Sequence, residues 1–131
     1  MNHVSAEEVI ALHDYILKHY AGIAGIAGIA GMQDSGRAEA IVTRVMNRQY
    51  YEGVQDIFEI AATYWVAIAR GHIFADANKR TSLNTTMLFL KRNNIKVYDR
   101  PELVELTVMA ATGEADIAFL ASQLRVFFAA H

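Results

Sequence analysis

The chain has 131 residues, no cysteine, a formal net charge of −2 and a pI near 6.2. Those values exclude a disulfide scaffold, thiolate chemistry and a globally basic surface that would recruit nucleic acid. No stretch offers the roughly 18 uninterrupted apolar residues of a membrane span, and residues 1–8 lack a basic segment followed by an apolar run, so a cytoplasmic protein is expected.

A chain of this size buries roughly two-thirds of its unfolded surface, and a single domain over residues 1–131 is expected. Hydrophobic residues make up 53% of it, which leaves apolar surface for a partner to cover. In chain order, Ser5-Ala6-Glu7-Glu8 reads as a capping box, followed by Val9, Leu12, Ile16 and Leu17 at helical spacing. Residues 22–31 are a three-fold Gly-Ile-Ala repeat whose period suits neither helix nor strand, so a lengthened connection is expected. A long apolar hinge of this kind also permits exchange of the first helix between subunits, giving a swapped homo-oligomer.

A second helix is expected from about Ser35 to Tyr51, and a third from about Gln55 to Arg70 with Ile57, Ile60, Ala61, Tyr64, Trp65 and Ile68 inward. Gly71 stops the third, residues 72–76 form a loop, and Asp76 caps a fourth that buries Leu83, Met87 and Leu90 and ends near Asn93. Ile95–Tyr98 is the one segment that reads as a short strand. A fifth helix opens between Asp99 and Glu102 with Pro101 in its first turn and stops at Gly113; Asp116 caps the sixth, which carries Ile117, Leu120, Leu124 and Phe127. The whole reads as an all-α, compact six-helix bundle with a motif loop between two central helices.

The loop and the start of the fourth helix concentrate the chemistry: His72-Ile73-Phe74-Ala75-Asp76-Ala77-Asn78-Lys79-Arg80. A helix start leaves N–H groups unpaired at the positive end of its dipole, which suits an anion. Ala77 is small enough for phosphate to approach the backbone, Lys79 and Arg80 add positive charge, and Asn78 brings an amide donor. Asp76 would repel phosphate unless it held a divalent cation such as Mg²⁺, and His72 can take a proton from an attacking hydroxyl. Singly, these residues are ordinary caps and solvated charges; together they describe phosphoryl or nucleotidyl transfer.

The motif resembles the signature of the Fic/Doc family and is closest to its Doc branch. The similarity extends to Arg70-Gly71 before it, Thr81-Ser82-Leu83-Asn84 after it, Leu12-His13-Asp14, and Gly36-Arg37-Ala38-Glu39-Ala40; the repeat at 22–31 is the main departure. The ordinary Fic pattern, His-x-Phe-x-Asp/Glu-Gly-Asn-Gly-Arg-x-x-Arg, accompanies AMP transfer. Here its first glycine is Ala77, its second is Lys79 and its last arginine is Leu83, followed by Asn84. A lysine at the second glycine fills space where the phosphates would lie, so the nucleotide should present another phosphorus.

The resemblance implies a toxin of a toxin–antitoxin pair, transferring the γ-phosphate of ATP to a threonine of elongation factor Tu and arresting translation. It implies that His72 is the base, that Asp76 holds Mg²⁺, that Asn78, Lys79, Arg80 and Asn84 hold phosphates, and that Arg70 supports the site. It also implies a Phd-like antitoxin acting in trans, because Ser35-Gly36-Arg37-Ala38-Glu39-Ala40 only partly matches the internal inhibitory helix of many Fic proteins. Rival expectations are AMP transfer, a catalytically silent helical binding module, and a metal phosphohydrolase built on His13-Asp14, His19, His72 and Asp76.

Overall fold

A computed structural model describes residues 1–20, 35–74 and 77–129 of the chain. Among them are six helices and no strand: α1 (Ala6–Tyr20), α2 (Ser35–Tyr50), α3 (Ile57–Arg70), α4 (Asn78–Arg92), α5 (Glu102–Thr112) and α6 (Ile117–Phe128). The all-α expectation holds, and its elements fall close to the expected bounds. The Gly-Ile-Ala repeat, and with it the expected hinge and subunit exchange, lies outside the described residues. Ile95–Tyr98 is an irregular link instead of a strand, since no other strand among the described residues could pair with it.

The centre is α3, which packs against α2, α4, α5 and α6. Ile60, Ala61, Ala62, Tyr64, Trp65 and Ile68 are completely buried, so this helix is apolar almost all round. Of the expected inward residues only Ile57 is half-buried, because it lies in the first turn. Asp56 caps that turn by accepting from Phe58 N at 2.8 Å. Trp65 sits in the core with its indole N–H donating to Thr107 Oγ1 on α5 at 2.9 Å.

Packed alongside, α4 buries Leu90 as expected and otherwise departs from the expected face. Leu83 and Met87 are only half-buried, whereas Thr81, Ser82, Thr85, Thr86, Phe89 and Leu90 are buried. Small hydroxyl side chains let neighbouring helices approach closely. Two of them satisfy themselves on their own helix: Ser82 Oγ donates to Lys79 O at 2.7 Å and Thr86 Oγ1 to Ser82 O at 2.8 Å.

The start of the chain is tied to the far end of α4. The expected capping box is formed, with Glu8 N donating to Ser5 Oγ at 3.2 Å and Ser5 N to Glu8 Oε1 at 3.0 Å. Glu8 also takes both Arg92 guanidinium nitrogens, at 2.7 Å for Nη1. The Arg92 hydrogen bond, helped by the Ser5 amide, holds the Glu8 carboxyl down to about 2. His3 bridges Tyr64 and Gln49, and burial pushes the Tyr64 phenol up. The remaining expected stops are observed: Gly113 ends α5 at φ 90°, and Asp116 caps α6 through Phe119 N at 2.8 Å.

Candidate active site at the α3–α4 junction

At the end of α3, Gly71 donates its N–H to Ile68 O at 3.3 Å. A side chain there would lie 2.6 Å from Ala67 O and against the Ile41 side chain, so α2 closes directly on the junction. The next residue, His72, takes a left-handed backbone at φ 48°. That conformation is costly for a residue with a Cβ and persists only where the surroundings impose it. Part of the imposition is visible: Arg37 Nη1 of α2 donates to His72 O at 2.8 Å. His72 itself is exposed, while Ile73 and Phe74 turn into the core.

Phe74 is fixed at ring and backbone. Its ring lies on the buried His13 ring of α1, with centroids 3.6 Å apart and planes 7° from parallel. Asn78 on α4 spans its backbone, accepting from Phe74 N at 3.1 Å and donating to Phe74 O at 2.8 Å. Asn78, expected to hold phosphate, therefore uses its amide as a loop clamp.

Asp76, expected as helix cap and Mg²⁺ ligand, lies outside the described residues. The N-cap position of α4 belongs to Ala77, a correction to the expected Asp76 cap. Ala77 sits at φ 65° and ψ 18°, and has no side-chain oxygen to occupy the helix's first N–H groups. The positive φ explains why a glycine suits this position in the family pattern. The first turn then presents Lys79 and Arg80, both exposed.

The remaining expected residues are more dispersed. Asn84 is exposed one turn further along, its Nδ2 donating to Arg80 O at 2.8 Å. Arg70 donates from Nε to Ala110 O at 2.7 Å and from Nη2 to Ala115 O at 3.0 Å, tying the end of α3 to the α5–α6 turn. Arg70, expected to support the site, thus anchors the helix that precedes the loop. A cleft of about 240 Å³ opens beside Gly71, lined by Arg37, Ala40, Ile41 and Arg44, which extends the basic character of the junction onto α2.

The metal phosphohydrolase arrangement finds no such cluster here: among the described residues no three His, Asp or Glu side chains could share a metal. His13 is buried between Phe74 and its contact to Asp14, and His19 is stacked on Tyr15 with Nδ1 bonded to Tyr15 O. Neither the contact of Arg37 with the loop nor the packing role of His13 is carried by the nine-residue motif itself. The signal for His13 was present, since Val9, His13 and Leu17 lie four apart on one buried face of α1.

A family model described as the Fic/DOC family matches residues 3–90, from the N-terminal tether through the whole of the loop and most of α4. The chain belongs to the Fic/Doc family. It is also 54% identical over 125 residues to the protein kinase doc of Escherichia phage P1, a match covering 95% of this chain and 94% of that protein. Among the described residues no helix is long and apolar enough to cross a membrane.

Proposed function

We propose that this protein is the toxin of a toxin–antitoxin pair and acts as a kinase, moving the γ-phosphate of ATP onto a threonine hydroxyl of elongation factor Tu. The observation that carries this reading is the α4 tip: an exposed His72 precedes a helix start that has no side-chain cap at Ala77 and carries exposed Lys79 and Arg80. Support comes from the similarity to a protein named a kinase.

In this reading His72 takes the proton of the attacking threonine hydroxyl. The new bond forms between that oxygen and the γ-phosphorus as the bond to the β-phosphate oxygen breaks, and ADP leaves. Lys79, Arg80 and the first N–H groups of α4 offset the charge on the phosphates. Ala77 permits close backbone approach, Asn78 holds the loop in place, Arg70 anchors the end of α3, and Asn84 in the second turn of α4 adds an amide for the phosphates. The carboxylate donor suited to Mg²⁺ is Asp76, and that ion, when bound, supplies charge neutralisation between phosphates.

The same reading places the protein in the cytoplasm as one domain over residues 1–131, where blocked elongation arrests growth until a Phd-like antitoxin covers the toxin. Lys79 favours γ-transfer over AMP transfer because a long side chain replaces a glycine beside the phosphates. The test is incubation with elongation factor Tu and ATP labelled at the α or the γ phosphorus. Label from γ alone is expected; label from α identifies AMP transfer, and no label from either identifies a silent binding module.

A further inference from the structure

We propose that His13 is a positioning residue for the transfer site, holding His72 in place through a stacked contact with Phe74. This inference rests on the phosphotransfer reading. His13 is 1% exposed and lies on the α1 face that also buries Val9 and Leu17. Packing alone would be met there by a leucine, and burying a polar ring needs a compensating hydrogen bond. The structure supplies one: an ionised carboxylate only accepts, so His13 Nδ1–H donates to Asp14 Oδ1 at 3.2 Å.

Packing of the ring against Phe74 fixes its plane. The imidazole lies flat on the Phe74 ring, with centroids 3.6 Å apart and 7° between planes. Phe74 is two residues from His72, and the intervening Ile73 is 1% exposed. With the Asn78 clamp on its backbone, Phe74 has little freedom to shift, and the turn that aims His72 outward at φ 48° starts from that anchor. His13 touches neither phosphate nor hydroxyl in this account; it acts through Phe74.

Two variants separate the ring plane from simple filling. His13→Phe keeps a flat ring of similar size, and His13→Leu fills the space without a plane. In the full chain, with elongation factor Tu and γ-labelled ATP, His13→Leu is expected to lower kcat per folded molecule at least ten-fold. The KM for ATP should move less than three-fold, since Lys79 and Arg80 remain on α4. His13→Phe should stay within three-fold of the parent in kcat.

Hydrogen exchange gives a second readout that needs no activity. The Phe74 amide should exchange at least ten-fold faster in His13→Leu, while amides inside α3 remain unchanged relative to global stability. A His13→Leu protein with parental kcat and parental Phe74 exchange overturns the proposal, as does a His13→Phe protein as impaired as His13→Leu. If the parent itself transfers no label, the phosphotransfer reading fails, and the exchange result still decides whether His13 holds the loop.

Discussion

The two central helices lie side by side yet use their residues differently. In α3 the first turn is capped by Asp56, and nine of the fourteen residues are buried, all of them apolar or aromatic except Thr63. In α4 the N-cap is a left-handed alanine with no side-chain acceptor, and the buried face is largely threonine and serine. The first helix supplies hydrophobic stability; the second gives up part of that stability at its buried face and at its left-handed start. Residues that weaken a helix locally gather where the proposed chemistry needs them, and a largely apolar neighbour carries the fold.

That contrast can be broken first at Trp65. Truncating this wholly buried side chain to alanine leaves a cavity and removes the hydrogen bond to Thr107, and should lower stability by about 4 kcal/mol in a denaturant titration. A loss under about 1 kcal/mol would mean that α3 is not the stabilising element. On the other side, Asn78→Ala removes both bonds to Phe74 and leaves its buried N–H without that acceptor. A loss of about 2 kcal/mol is expected by thermal or chemical unfolding, together with a phosphotransfer defect larger than the stability change explains.

The far end of α4 sharpens the comparison through pH. The folded Glu8 carboxyl is lowered to about 2 from a reference of 4.5, so its stabilisation is fully present above about pH 4.5 and fades as pH falls toward 2. The Glu8 side chain is 39% exposed, and screening limits the effect to about 1 kcal/mol. Glu8→Gln should flatten the acid limb of a stability–pH curve by that amount; an unchanged limb would show that the Arg92 pair contributes nothing. The smallest effect is expected at the near end, where Ala77→Gly relieves a left-handed backbone and should raise stability by about 0.5–1 kcal/mol. A lower melting temperature in that variant would contradict the strain.

The contrast also explains what was legible in the sequence. Strong local signals translated directly: the Ser5–Glu8 capping box, the stop at Gly71, Gly113 as an αL cap and Asp116 as an N-cap all depend on a few adjacent residues. On α4 the apolar stripe finds Leu90 but not the rest of the buried face, because it assumes that leucine and methionine bury before threonine. Close packing between helices reverses that order by favouring small side chains. The site's positive charge was legible as residue types in nine positions, whereas its supports were not. His13 and Arg37 act on the loop over separations that only the fold defines, through a ring stack and a carbonyl contact, while Asn78 reaches back four residues to clamp its backbone.

The central claim is that an exposed imidazole at the α3–α4 junction is the base for phosphoryl transfer. It is tested most directly by the rate of γ-phosphate transfer to elongation factor Tu in His72→Ala against the parent, with helicity and melting temperature matched. His72 is exposed, so the fold should survive and the rate should fall by about 10²–10⁴-fold, the range expected for loss of a general base. A variant that transfers label at the parental rate would contradict the account.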